Sequence, residues 1–445
     1  MKKFYIYTWG CQMNEDDSSQ IYSYMVQEGF SPAKCESEAD IFILVTCSVR
    51  EKPENKAKSK LGELKLLKDE RPEIIIGVCG CMAQRMGDKL KNGRPYLNFV
   101  VGTEQISTVP YLVKKIIENQ NAEIKKKNYF SKLFLSEKNK DLHLPGRTKK
   151  EIVGLKEFIP IMYGCNNFCS YCVVPYTRGR ERSREMGDIL EEIKYVRDKG
   201  CKEITLLGQN VNSYGKTLEN PIDFATLLYK VCEIEGIERI RYTTSHPKDL
   251  SDDLIKCMAE NDKICKHIHL AVQSGDDEVL RVMNRRYTRD RIYYLVDKLR
   301  EFMPNISITT DLIVGFPGED EKAFENTLEM VERIRFDAAF MFSYNPIPNT
   351  PAAKMEGQRE MKDKNKSLER LIELQNNITV EKNKALVGSR QKILVEGLSS
   401  KGDELTGYTD TLKICNFKGE KDLIGSMVEV NVTEGHLFGL SGEIL

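Results

Sequence analysis

Three cysteines, Cys165, Cys169 and Cys172, fall inside the stretch CNNFCSYC, with no fourth cysteine or histidine nearby. Spacings of four and three residues suit one face of a helix, so a buried helical stripe is one reading. Gly164, Asn166, Asn167 and Pro175 argue instead for a loop leaving the strand-like EFIPIMY. Structural zinc is another reading, but such sites close with four protein ligands and only three thiols converge here. An iron–sulfur cubane takes one thiolate per iron, so three thiolates leave one iron open to a substrate or cofactor. A second triple is spread more widely. Cys11 follows FYIYTWG, Cys47 follows IFILVT and Cys81 follows IIIGVCG. Each stands at or just past the carboxyl end of a predicted parallel strand, and in open α/β sheets those ends converge on one crevice. Three unrelated buried cysteines are the alternative. Cys79 competes with Cys81 on the same strand face, and the glycine between them favours Cys81 as the residue beyond the strand.

The elements that must position these thiols follow from pattern. A chain of 445 residues holds about two to four domains. Residues 1–119 alternate apolar runs with helical stretches, which predicts a parallel α/β sheet with both faces covered. Residues 120–150, with KKKNYF and HLPGRTKK, read as a basic linker. From 151 to about 381, six strands near 156–162, 203–208, 239–244, 267–273, 307–314 and 337–344 alternate with helix-capable segments. Six β/α units are too few for a closed eight-fold barrel and predict an open, partial one. Residues 382–445 turn to strands with glycines spaced like hairpin turns, which predicts a small antiparallel β-barrel.

Composition narrows the function further. Lys plus Arg and Asp plus Glu both total 67, so net charge announces no polyanionic partner, and any nucleic-acid surface must be local. The N-terminal apolar run breaks at Gly10, too short for a signal core or a membrane span, so a cytoplasmic protein without a membrane partner is expected. Thirteen cysteines in a long cytoplasmic chain point to metal or catalysis, not disulfides. Cys35, Cys201, Cys232, Cys257 and Cys265 read as plain thiols within helices or strands.

The CxxxCxxC spacing after a first barrel strand resembles the signature of the radical S-adenosylmethionine (SAM) superfamily. TWGCQMNEDDS, TCSVREKPENK, GCMAQ, MYGCNNFCSYCVVPYTRGRERSR and LLGQNVNSYG resemble the methylthiotransferase family over nearly the whole chain, with 382–445 like its RNA-binding TRAM domain. The resemblance implies two 4Fe-4S clusters: an auxiliary one on Cys11, Cys47 and Cys81, and one on Cys165, Cys169 and Cys172 whose open iron chelates SAM. It implies that SAM serves both as radical source and as methyl donor, and that C2 of N6-dimethylallyladenosine at position 37 of tRNA receives a methylthio group. Sister branches act on threonylcarbamoyl-adenosine or on a ribosomal-protein aspartate, and their LGCKVN-like and LGCPKN-like openings differ from WGCQMN. Val45, where asparagine is usual, and Glu185, where proline is usual, depart from the family pattern and put only local loop geometry in question.

With that resemblance, Tyr171 and the strand-end residues Gln209, Asn210, Ser245 and Gln273 become SAM-binding candidates. His246, Ser274, Gly315 and Gly318 stand at the same ends. The five histidines form no catalytic spacing, and no general base is assigned. Arg178, Arg180, Arg182 and Arg184 occur at every second position, so an extended backbone would align them for phosphate, and Arg285 and Arg286 add a second cluster. Intramolecular ion pairs are the alternative. The C-terminal segment 381–445 carries eight Lys/Arg against ten Asp/Glu, a poor balance for a domain binding RNA by phosphate attraction alone. Implied partners are tRNA, an electron donor such as flavodoxin or ferredoxin, and a sulfur or cluster supply system, with the chain acting as a monomer. An electron-transfer iron–sulfur protein without SAM chemistry is the reading from another class, and six units with polar strand ends disfavour it.

Overall fold

A computed structural model describes residues 2–48, 51–121, 132–134, 147–400 and 402–445. The N-terminal domain runs β1 (Lys3–Trp9), α1 (Gln12–Gln27), β2 (Ser31–Pro32), β3 (Ile41–Thr46), α2 (Glu51–Glu70), β4 (Ile75–Cys79), α3 (Cys81–Met86), α4 (Asp88–Lys91), β5 (Phe99–Val101), α5 (Val109–Asn121) and β6 (Lys132–Phe134). Its sheet has the order β2-β1-β3-β4-β5-β6 and every pairing is parallel. Continuous apolar runs such as IFILVT are what a strand covered on both faces requires. Phe42, Leu44 and Val78 pack with Leu61 and Leu64 of α2 and Met82 of α3. Ile41, Ile43 and Val45 pack with Ile21 and Met25 of α1 and Leu112 and Val113 of α5 on the other face. The segment expected to be a basic linker thus contributes a sixth strand at 132–134, while 122–131 and 135–146 lie outside the described residues.

The central domain carries the six expected strands: β7 (Lys156–Pro160), β10 (Glu203–Leu207), β11 (Arg239–Tyr242), β12 (His267–His269), β13 (Ser307–Val314) and β14 (Ala338–Ser343). A short antiparallel pair, β8 (Met162–Tyr163) and β9 (Arg182–Ser183), and the turn of helix α6 (Val174–Thr177) interrupt the first unit. Strands β7, β10 and β11 form one parallel set and β12, β13 and β14 another, joined by bridges such as Ser245 to Leu270. The result is a parallel half-barrel with an open flank. Helices α7 (Met186–Asp198), α8 (Phe224–Cys232), α9 (Asp252–Glu260), α10 (Asp277–Val282), α11 (Arg289–Phe302) and α12 (Glu321–Ile334) cover its outside. Alternation decides which side chains face them: Ile204, Leu206, Ile240, Ile268, Ile308 and Leu312 enter one core with the helices. Asp223, Ser251, Asp276 and Asp320 cap four of these helices by accepting a backbone N–H. The long α13 (Met361–Lys384) leads out along β14 to the last domain.

That domain, β15 (Arg390–Leu398), β16 (Leu405–Thr409), β17 (Ile414–Lys418), β18 (Met427–His436) and β19 (Gly439–Ile444), is a closed barrel of order β15-β16-β17-β19-β18. The expectation of an antiparallel barrel is corrected at one seam, since β17 and β19 pair in parallel. The reason is parity: a closed ring with an odd number of strands cannot alternate direction all the way round. The barrel seats on the half-barrel through two arginines of β11. Arg239 donates to the carbonyls of Tyr408 (2.6 Å) and Lys392 (2.5 Å), and Arg241 to those of Thr409 (2.8 Å) and Asp410 (3.1 Å).

Candidate functional site

The first triple stands where adjacent strands β1, β3 and β4 end. Cys11 is the N-cap of α1, Cys47 directly follows β3 and donates its N–H to the carbonyl of Trp9 (3.0 Å), and Cys81 opens α3. Gly10 has φ +152°, and a Cβ there would lie 2.7 Å from Cβ of Cys47 and 2.4 Å from Oδ1 of Asn14. Only glycine allows the strand ends to approach this closely. Cys79 is fully buried among Ile43, Val45 and Phe99, so Cys81, not Cys79, belongs to the strand-end group. A hydrogen bond with Cys47 and the nearby Arg178 guanidinium pull the Cys11 thiol down to about 5, whereas burial pushes Cys81 up against the opposing pull of Arg178. A cavity of about 500 Å³ opens beside Cys11, lined by Trp9, Gly10, Glu15, Lys52 and Lys56 among others.

The second triple lies on an irregular loop, not a helical stripe. Gly164, with φ +74°, turns the chain out of β8, and a Cβ there would lie 2.0 Å from the carbonyl oxygen of Arg180. The loop is held from outside: Asn284 donates to the carbonyls of Asn167 (3.1 Å) and Phe168 (2.9 Å), and Ser170 N–H donates to Met283 (3.0 Å). Cys172 N–H donates to the carbonyl of Cys169 (2.9 Å), drawing those residues into one turn. Burial and the neighbouring thiols push Cys165 up to about 11 and Cys172 up to about 12. Arg285 Nη1 donates to Sγ of Cys169 (3.2 Å) and to the hydroxyl of Tyr171 (3.4 Å). Among the described residues, no three His, Cys, Asp or Glu side chains gather as closely as a single metal ion requires. A cubane asks for a wider arrangement, with each thiolate on its own iron.

The SAM candidates line the half-barrel's carboxyl end, and most are short of partners. Oε1 of Gln209, Oδ1 of Asn210, Oγ of Ser245, Nε2 of His246 and both amide atoms of Asn212 are buried without a hydrogen-bond partner. Orphaned buried polar atoms are rare, and this many at neighbouring strand ends fit a polar ligand. Gln273 has φ +74° at the end of the β12 run. Tyr171 lies edge-on to Phe316, 6.4 Å between ring centres. Burial and Arg285 depress His246 to about 2, and its Nδ1 accepts from Lys248 N–H (3.2 Å), so the proton of the neutral ring sits on the unpartnered Nε2.

The arginine clusters require correction. Arg178 and Arg184 are buried, and Arg182 is partly buried. Arg178 Nη2 pairs with Asp17 (2.7 Å), Arg182 with Glu104 (2.6 Å) and Arg184 with Glu192 (2.7 Å). Arg178 and Arg182 fasten the N-terminal domain to the half-barrel and Arg184 braces the half-barrel itself, instead of presenting a row to phosphate. The backbone explains it: Arg178 closes α6, so only Arg182–Ser183 is extended, paired with β8. Arg285 is buried against Cys169. Arg180, stacked on Phe168 at 4.3 Å beside the exposed Tyr176, and Arg286 remain exposed. The roles of Asp16, Asp17 and Arg285 were missed in the sequence. Their signal was the acidic pair in CQMNEDD facing an arginine run elsewhere, which implies pairing only once both are known to meet. Glu185, at the usual proline position, has φ −59°, a value proline also holds, so the loop keeps its course.

Comparison with known proteins agrees with this geometry. The radical SAM superfamily matches residues 159–331, the uncharacterized protein family UPF0004 residues 3–102, and the TRAM domain residues 384–445. The fold and the cysteine loop thus define a radical SAM enzyme, a class that works with a 4Fe-4S cluster and SAM. The chain is 46% identical over 448 residues to the tRNA-2-methylthio-N(6)-dimethylallyladenosine synthase of Carboxydothermus hydrogenoformans, spanning 100% of this chain and 99% of that one. Synthases of the same name from Clostridium novyi (47%, 100% and 97% covered) and Moorella thermoacetica (44%, 100% and 98%) align equally fully. The chain belongs to this family of methylthiotransferases. Among solved structures, the radical SAM methyltransferase TsrM of Kitasatospora setae shares the fold at TM-score 0.54 and 13% identity, over 79% of this chain and 77% of that one.

Proposed function

We propose that this protein installs a methylthio group at C2 of N6-dimethylallyladenosine at position 37 of tRNA. In this reading Cys165, Cys169 and Cys172 hold the cluster that binds SAM, and Cys11, Cys47 and Cys81 hold an auxiliary 4Fe-4S cluster. When bound, these groups supply the 5′-deoxyadenosyl radical, the sulfur and, from SAM, the methyl group. The observation that carries the reading is the meeting of both triples across one short segment: Arg178, just downstream of Cys172, sits beside Cys11 and Cys81. Through Arg178 the two triples are thus set close along the chain and in space, as a division of work between two clusters would need.

The chain's own residues do the positioning. Gln209, Asn210 and Ser245 orient SAM through their otherwise unpartnered amide and hydroxyl groups, with Gln273 beside them and the neutral His246 as an added donor. Arg178 and Arg285 bring positive charge to thiolates at each triple. RNA contact falls to Arg180, Arg286 and the aromatic pair Phe168 and Tyr176, which suit stacking on splayed bases. No described helix is long and apolar enough to cross a membrane. A cytoplasmic monomer served by a flavodoxin- or ferredoxin-like reductant and by a sulfur supply system goes with this reading.

The test is nucleoside analysis of tRNA from cells lacking the protein: the methylthio group should vanish while the dimethylallyl group persists. Retention of the methylthio group would sink the assignment. A second expectation concerns Gly164→Ala. Its Cβ meets backbone, at a φ that alanine resists, so the second loop must shift, and bound iron should fall from about eight to about four atoms per chain. Iron assay of anaerobically reconstituted protein checks it.

A further inference from the structure

The cavity beside Cys11 is one end of a longer groove on the N-terminal domain. Trp9 and Lys56 line both it and a second cavity, of about 440 Å³. Strand β1 forms one wall: β2 pairs only with Lys3 and Phe4, so from Tyr5 onward β1 is the open edge of the sheet among the described residues. Tyr5, Tyr7 and Trp9 leave one face of it. Their rings form a ladder, with Tyr5 edge-on to Tyr7 (5.0 Å between centres) and Tyr7 stacked on Trp9 (5.3 Å, 10° between planes). Helix α2 forms the other wall, where Lys52, Lys56 and Lys60 recur at every fourth residue and so share a face. The charges divide the groove. At its far end Lys60 is held by Glu36 and Glu63, both at 2.8 Å. At the Cys11 end Lys52 and Lys56 are exposed and have no ion-pair partner among the described residues, while Lys58 nearby takes Glu54 (2.7 Å). Glu15 is the one carboxylate among the described residues lining that end.

Two cations without partners, a flat aromatic wall and a channel that runs on past it suit a ligand with a phosphate, a planar base and a continuing chain. A small sulfur anion would use neither the ring ladder nor the length. We propose that this groove seats the single-stranded RNA beside the reacting adenosine, with a phosphate on Lys52 and Lys56 and the adjoining base stacked on Trp9. The proposal rests on the methylthiotransferase reading and adds a part for the N-terminal domain in holding the substrate, since a strand seated here enters next to Cys11. Tyr7 backs the indole, so the platform is fixed before the base arrives. Stacking takes any base and a lysine takes any phosphate. The groove therefore contributes affinity across tRNAs of different loop sequence and leaves the choice of base to other contacts.

The test uses the full chain, reconstituted anaerobically and without SAM, and a labelled anticodon stem–loop RNA carrying N6-dimethylallyladenosine, with affinity read by fluorescence anisotropy over a range of salt. Lys56→Gln should weaken binding and make the slope of log affinity against log salt shallower by about 1. Lys60→Gln, whose charge is already paired with Glu36 and Glu63, should leave the slope as it is. Trp9→Ala should weaken binding on the order of tenfold without changing the slope, and Trp9→Phe should keep most of the affinity. Matching unfolding transitions and iron contents show that each variant is intact. With 4-thiouridine walked through the loop, irradiation should join at least one position to the peptide that carries Trp9, which mass spectrometry identifies. Wild-type affinity and slope in both Lys56→Gln and Trp9→Ala overturn the seat whether or not the protein methylthiolates tRNA, as does a crosslink map that never includes that peptide. Trp9 is the chain's single tryptophan, so its emission reports on the cavity directly. A response to sodium sulfide with none to RNA would assign the cavity to a small anion and also overturn the seat. The expected losses in a protein that performs no methylthiolation support the seat and count against the function reading.

Discussion

Cys169→Ala is expected to form no 5′-deoxyadenosine from SAM under anaerobic reduction, while Cys47→Ala forms it and yet adds no methylthio group to tRNA. The first change removes one of three thiolates from the loop whose thiol also receives the Arg285 guanidinium, leaving two ligands and a buried cation short of its partner. The second acts at the far domain. Cys47 stands at the end of β3, where its N–H donates to the carbonyl of Trp9, outside the loop that carries Cys165, Cys169 and Cys172. Loss of cleavage amounts to several orders of magnitude in rate, because the radical has no other source. High-performance liquid chromatography of 5′-deoxyadenosine, with mass spectrometry of tRNA nucleosides from the same reaction, reads both. If Cys47→Ala abolished cleavage while iron at the second triple stayed intact, the division of labour between the triples would be wrong.

Asp16→Ala is expected to cost about 3–5 kcal/mol, the usual penalty for breaking one partner out of a buried ion network. Asp16 accepts from both Nη atoms of Arg147 (2.7 and 3.0 Å) and lies 3.4 Å from Lys150, while Arg147 reaches on to Glu192 (2.6 Å), which also pairs with Arg184. Burial opposes the charge on Asp16, but Arg147 and Lys150 hold its carboxyl below the usual range. A carboxylate with a lowered folded value stabilises above its unfolded value, about pH 4, and loses that contribution as pH falls through the folded value. The gap between wild type and Asp16→Asn should therefore be full at pH 7 and close in stronger acid. Urea unfolding followed at several pH values measures it. A gap that persisted unchanged to pH 2 would show that the network contributes shape and not charge.

Much was legible before any coordinates. The six cysteines could be picked out because strand ends are marked by the switch from apolar runs to glycine and polar residues, and ligands gather there by topology. The six β/α units were readable for the same reason, since parallel strands buried on both faces write themselves as unbroken Val, Ile and Leu. The buried arginines were not readable. In TRGRERSR a row for phosphate and a row of ion pairs look alike, because the answer lies in Asp17, Glu104 and Glu192, two of which come from another domain. The parallel seam of the C-terminal barrel was equally hidden, as hairpin turns report neighbours in sequence and say nothing of which strand closes a ring.

By itself, then, the order of residues determined what is local and periodic: the strand and helix units, the two thiol triples and the chemistry those thiols suit. Tertiary structure decided which charges meet. It turned three candidate phosphate binders into a fastening between domains or a guard beside Cys169, tied Arg184 within the half-barrel, and left Arg180 and Arg286 outside. The physical reason is distance along the chain: a side chain's partner across a domain interface leaves no trace in its own neighbourhood, whereas burial of a strand face does.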